Sequence, residues 1–435
     1  MRRYRLLTAL FALLLALPGT ASLVAQGQDY DVTLSGSPQF RDTSHFRVHY
    51  TLTGVDAVTT EYLEEVLVAL EKSWKVQVEL LGWAPPPPDD GVGGSDLYDV
   101  YLRDLTEDEA LGITSPEEIV GDNPRTSRTE EWSSTSYLMV ENDFQDISFG
   151  EGQDAVTLMR ATVAHEFSHA LQFAYDYADA HDWIYEATAV WMETQTVGVD
   201  QDATGYVAQN YDYPELCFGS VVTDADADRH YGEWLFIDHL AQEFGQGFVK
   251  TLWEYVGDYE GFEAVERALE AQGTTLQEAL AGYRLRNLAR DYYLAELFGA
   301  TVWLEDTINL KEGGWTYNGV GIEELGANYF AVEAAPGNYT FEIVGDSGAL
   351  TLYSIGVSSG DVDVFALGRR GVVRAGKYDD LYVMVFNPDY DEDLGECEPV
   401  TFDLRVQVGG DLAAMPRLFQ HFQAARYAKL ENGWE

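Results

Sequence analysis

His165-Glu166-Phe167-Ser168-His169 sets two imidazoles four positions apart in an apolar, helix-forming stretch from Asp154 to Tyr177. Residues at i and i+4 share one face of a helix, so both rings can reach a single metal ion. Glu166 projects beside them, where its carboxylate can take a proton from water held by the metal. This is the H-E-x-x-H pattern of zinc hydrolases. It makes Zn2+ the expected cofactor and Glu166 the expected general base.

A catalytic zinc takes three protein ligands and keeps one position open. In metzincins a glycine and a third histidine would fall at positions 172 and 175. The chain has Gln172 and Tyr175 there, which excludes that class. The next helical segment reads Trp183-Ile-Tyr-Glu186-Ala-Thr-Ala-Val-Trp-Met-Glu193. Together the two segments resemble the gluzincin metallopeptidases, whose third ligand is a glutamate on the helix after H-E-x-x-H. The similarity is greatest to a group of secreted bacterial metalloproteases that is itself poorly characterised. That group shares the run Gly82-Trp-Ala-Pro-Pro-Pro-Pro-Asp-Asp90, the strand Tyr98-Asp-Val-Tyr-Leu102 and the motif's continuation through Gln172. The resemblance covers Phe46 to Gly245.

It implies His165, His169 and Glu186 as metal ligands; His181, in the loop ahead of Asp182, is the competing ligand but matches no position of the family. Glu193, seven residues beyond Glu186, either orients a ligand imidazole through its other ring N–H or is a solvated helix carboxylate. A second donor for the tetrahedral oxyanion is expected in the segment Asp228 to Phe236, with Tyr231 the first choice and His230 the second. The resemblance also assigns the substrate backbone to a strand edge ahead of the motif helix. Tyr137 to Asn142 occupies that place, with Glu141 as the anchor for a substrate amine.

The implied activity is hydrolysis of peptide bonds in a peptide or protein substrate. Two rivals stay open: a zinc-containing surface protein that binds without turnover, and a zinc hydrolase acting on a non-peptide amide or ester. An intact Glu166 argues against the first.

The elements that must position these residues read as α+β. His45–Leu52, Leu97–Leu102 and Ser136–Glu141 alternate as strands, and Asp56–Leu81 has helical periodicity closing at Gly82. The expected division is a zincin-like domain over 30–180, a mixed sheet with the H-E-x-x-H helix, then a helical subdomain over 181–300 carrying Glu186. Short alternating runs with Gly, Asn and Asp turns over 320–410 predict a β-sandwich, and 411–435 forms a tail.

Composition sets the surroundings. Arg2, Arg3 and Arg5 precede an apolar run to Pro18 and small residues, a signal-peptide layout with cleavage after Ala21 or Ala25. No later segment reads as a membrane span, so a secreted or periplasmic protein is expected. The formal charge is −48, and −51 without those arginines, which disfavours nucleic acid and favours cations. Asp224, Asp226 and Asp228 alternate as Ca2+ loops do but lack the EF-hand glycine and closing glutamate; they and the acidic cluster Asp389 to Asp393 are read as either solvated turns or Ca2+ sites, with solvated turns favoured. Cys217 and Cys397 either form one disulfide or are two buried thiols. The oligomeric state is left open.

Overall fold

The computed structural model describes residues 32–144, 154–198, 203–219, 229–292, 294–310, 314–319, 321–345, 348–358, 361–390, 397–411 and 417–419. The signal segment, the Asp224–Asp228 run, Asp391–Asp393 and most of the tail lie outside the described residues. The chain is α+β and forms two compact units. The first comprises the chain up to Ala203 together with Glu243–Ala268; the second comprises Thr204–Gln242 and the chain from Leu269.

In the first unit, β1 (Gln39–Asp42) and β2 (Phe46–Tyr50) lead into α1 (Thr60–Trp74). The Thr59 side chain caps α1 by accepting from the Tyr62 N–H at 3.1 Å, and Leu63, Val66, Leu67 and Leu70 form its buried stripe. From Lys75 to Leu80 the chain runs on as a π-helix. Then come β3 (Tyr98–Arg103), β4 (Gly112–Gly121), β5 (Ser133–Glu141), α2 (Ala155–Gln172) and α3 (Asp182–Thr196). The strands make one mixed sheet in the order β1-β2-β3-β5-β4. β2, β3 and β5 are mutually parallel, while β1 and β4 run antiparallel at the two ends.

α2 packs on this sheet against β4 and β5. Its N-terminus is fixed by Asp154, whose carboxylate accepts from the Val156 and Thr157 N–H groups. From Leu158 to Gln172 every residue except Arg160 is buried. Phe167, inside the motif, packs its ring against Phe46 at 5.2 Å, Trp74 at 5.8 Å and Tyr98 at 6.0 Å. A helix buried on every side has no solvent face, so its polar residues must find partners inside the protein.

After α3 follow α4 (Ala203–Asp212), α5 (Arg229–Gly232), α6 (Trp234–Phe244), α7 (Gly247–Val256), α8 (Gly261–Glu270) and α9 (Leu276–Ala289). Contacts cut across the stretch 181–300: α3, α7 and most of α8 group with the first sheet. α7 is held to α3 by Trp253, whose indole N–H donates to Thr188 Oγ1 at 3.1 Å and whose ring meets Tyr185 at 4.9 Å.

The second unit holds a six-stranded and a four-stranded sheet. Phe330, Leu352, Val383 and Val385 of the first share one buried cluster with Phe341, Ile343, Leu404 and Val406 of the second, which is the packing of a β-sandwich. A strand at Arg370–Ala375, joined to its predecessor through one residue, escapes sequence patterning. Arg284 of α9 donates to Leu325 O, and Tyr329 OH donates back to Arg284 O at 2.8 Å. Cys217 and Cys397 are disulfide-bonded, 180 positions apart and both in this unit. No helix among the described residues is long and apolar enough to cross a membrane.

Closing so long a loop restricts the unfolded chain. Cys397→Ser is expected to lower the unfolding free energy of the second unit by about 2–5 kcal/mol, read as an earlier midpoint in denaturant.

Candidate metal centre

Among the described residues, His165, His169 and Glu186 form the only group of His, Cys, Asp or Glu side chains able to share an ion. One ligand atom from each lies within 4.8 Å of the others. Glu186 Oε2 is 3.1 Å from His165 Nε2 and 3.7 Å from His169 Nε2. The two imidazoles come from one face of α2, and the carboxylate from the first turn and a half of α3.

Each imidazole is held at its far nitrogen. His165 Nδ1 faces Glu193 Oε1 at 2.7 Å, and His169 Nδ1 faces Gln172 Oε1 at 2.7 Å. Glu193 is therefore a buried partner of the His165 ring, not a solvated helix carboxylate. Such partners fix ring orientation in metal sites, which leaves the Nε2 atoms turned toward Glu186. The donor set, two nitrogens and one carboxylate with supported rings, suits a catalytic zinc. His181 is engaged elsewhere: its N–H and Nδ1 both meet Asp179 Oδ1, at 2.9 and 3.0 Å.

Glu166 is also inside, and β4 receives it. Thr114 Oγ1 lies 2.8 Å from both Glu166 Oε2 and Glu166 O. Gly112 makes room: a Cβ there would stand 2.4 Å from Glu166 Cγ and 2.8 Å from Thr162 Cγ2. Gln77, brought in by the π-helical turn, donates to Ala164 O at 2.8 Å and lies 3.4 Å from Thr196 Oγ1, bridging α2 and α3. Gly112, Thr114 and Gln77 had no signal in the sequence, and Gln172 stood in the shared run after the motif without a role, because each acts through a neighbour that only packing supplies.

Three carboxylates, Glu166, Glu186 and Glu193, share this interior with exposures of at most 3%. Burial pushes Glu166 above the ordinary carboxylate range, against the pull of both histidines. Burial opposes the charge on Glu186 too, but His169 and His165 hold it well below that range. For His165, burial alone would lower the imidazole, and its contacts with Glu186 and Glu193 raise it instead. Buried charge of one sign needs a cation or protons to balance it.

The remaining expected residues have other surroundings. β5 was expected as the substrate-pairing edge, but it is an interior strand, bonded to β3 and β4 and buried throughout. The sheet ends at β4. Glu141 is buried at the end of β5, where its carboxylate accepts from the Leu105 N–H at 2.6 Å and burial pushes it up to about 7. Its own partner leaves it a poor anchor for a substrate amine. Tyr231 and His230 lie on α5 in the second unit; Tyr231 is buried, stacked on Tyr206 at 5.1 Å and against His230 at 4.4 Å.

The loop joining α2 to α3 is organised by two buried acids. Asp176 Oδ1 accepts from the Ala178 and Asp179 N–H groups, and Asp179 Oδ2 accepts from the Gly261 N–H at 2.7 Å. Burial, then the nearby Asp179, raises Asp176 from 3.8 to about 7.

A family of unknown function (DUF6055) matches residues 152–347, which include α2 and α3. Comparison with curated proteins gives no match. Among solved structures, the chain is similar to Aeromonas hydrophila PliG, a periplasmic lysozyme inhibitor of g-type lysozyme, at 13% identity and a TM-score of 0.19. The match covers 24% of this chain and 99% of that one, and at that score it carries neither fold nor function across.

Two outcomes test the packing. Gly112→Ala is expected to cost about 1–3 kcal/mol by overpacking against Glu166, measured by chemical denaturation. Asp176 binds its proton more tightly folded than unfolded, so stability falls as pH rises from 3.8 to about 7 and stays lower above. Asp176→Asn is therefore expected to flatten the pH–stability curve across that window.

Proposed function

We propose that the chain is a zinc-dependent peptidase of gluzincin type, built on a zincin-like arrangement of the mixed sheet with α2 and α3. The observation that carries this reading is the convergence of His165 Nε2, His169 Nε2 and Glu186 Oε2, with Glu166 adjacent on the same helix. His165, His169 and Glu186 would hold the zinc ion. Bound there, zinc would supply a Lewis acid for the scissile carbonyl and make a water molecule more acidic.

The chain's own residues do the rest. Glu193 and Gln172 hold the ligand rings from behind. Thr114 steadies Glu166 through Oε2, which leaves Oε1 to accept a proton from the attacking water and pass it to the leaving amine. β4 ends the sheet beside Glu166, so an extended substrate would add to β4 rather than to β5. The Cys217–Cys397 bridge supports an oxidising compartment, outside the cytoplasm.

The test is zinc content and casein hydrolysis of the wild type beside Glu166→Gln and Glu186→Ala. Wild type is expected to hold about one zinc per chain and to cleave casein. Glu166→Gln should keep the zinc and lose about 100-fold or more in kcat. Glu186→Ala should lose the zinc. A wild type that binds zinc yet cleaves neither casein nor a mixed peptide library would overturn the peptidase reading, and one that binds no zinc would overturn the metal centre.

A further inference from the structure

We propose that Gln172 is a positioning residue: it fixes His169 as the Nδ1–H tautomer and so aims the Nε2 lone pair at the point shared with His165 and Glu186. The consequence for metal binding rests on the zinc reading above; the tautomer itself does not.

The argument begins from the one partner whose role is fixed. Gln172 is fully buried, and its Nε2 lies 2.9 Å from Tyr185 O. A backbone carbonyl can only accept, so the amide NH2 must face it. That choice turns Oε1 toward His169 Nδ1, 2.7 Å away. An amide oxygen also only accepts, so Nδ1 must carry the hydrogen, and in the neutral ring Nε2 then carries none. Flipping the amide would set its oxygen against Tyr185 O, two acceptors at hydrogen-bond distance. One carbonyl on α3 thus dictates which nitrogen of a ring on α2 is free.

The two ligand histidines are held by different chemistry. Glu193 has two oxygens that both accept, so it holds the hydrogen on His165 Nδ1 without help. Gln172 needs Tyr185 to choose its orientation, but adds no negative charge to an interior that already holds Glu166, Glu186 and Glu193. Tyr185 also directly precedes Glu186. The same amide therefore joins the ring of one ligand to the turn that presents another.

The experiment uses the full chain with 15N-labelled histidine, metal-free, with the pH raised until the His169 15N signals report a neutral ring. His169 is assigned through His169→Gln, and zinc affinity is then measured by chelator competition. Wild type is expected to show His169 as Nδ1–H. Gln172→Glu retains an acceptor for that hydrogen and is expected to keep the tautomer. Gln172→Leu is expected to release it toward Nε2–H and to weaken zinc binding about 10–100-fold. A residue that merely filled space would give the reverse order, since leucine suits an apolar interior better than a second buried carboxylate. Gln172→Met repeats the test should the leucine variant not fold.

An Nε2–H ring in the wild type, or a tautomer and zinc affinity unmoved by both apolar variants, overturns the proposal. A wild type that shows Nδ1–H but binds no zinc defeats the metal centre and leaves the role of Gln172 standing.

Discussion

Charge buried between α2 and α3 is the constraint on which the first unit depends. Glu166, Glu186 and Glu193 lie beside two histidines in an interior where the helices have no solvent face. A carboxylate withdrawn from water and left alone costs several kcal/mol, so each one requires a partner in place. The partners found are specific: His165 for Glu193, both histidines for Glu186, and Thr114 for Glu166. The helices cannot slide or turn relative to one another without breaking these pairs. The same requirement gives an ion at the triad a physical role, since a dication would balance charge that the interior otherwise has to neutralise with protons.

The surrounding structure can be understood as support for that arrangement. Phe167 anchors the motif helix to the sheet through three aromatic neighbours, while the histidines flanking it look the other way. Gln77 reaches from a π-helical turn to the carbonyl just ahead of His165, and such turns recur at functional sites because they displace one residue from the regular helix surface. Trp253 braces α3 through Thr188. The loop between α2 and α3 is tied by Asp176 and Asp179, and Gly261 closes against Asp179. The loop is thereby given a fixed length and path, which in turn fixes where Glu186 enters.

β4 shows how a sheet edge can serve two ends. Pro116 and the register shifts at Pro116/Ile119 and Ile119/Gly121 suit a strand with one unpaired side. Gly112 and Thr114, at its beginning, lie directly against Glu166. The strand that would receive an extended substrate is thus the one that steadies the proposed base.

The sequence by itself determined the local pieces. The spacing of His165 and His169 was enough to put both rings on one helix face. Local periodicity located α1, α2 and α3, and the alternating runs after position 320 marked most of the sandwich strands. These features are legible because they depend on neighbours within a turn or a strand. Tertiary structure alone decided the rest. β5 lies inside the sheet because β4, unremarkable in sequence with its proline and acids, pairs outside it. Cys217 and Cys397 meet across 180 positions, a pairing that composition left open. The role of Gln172 depends on a backbone carbonyl thirteen residues away on another helix, and that of Gly112 on a side chain from another element. Hydrogen-bond direction and free space belong to the assembled neighbours, and no single segment of chain encodes them.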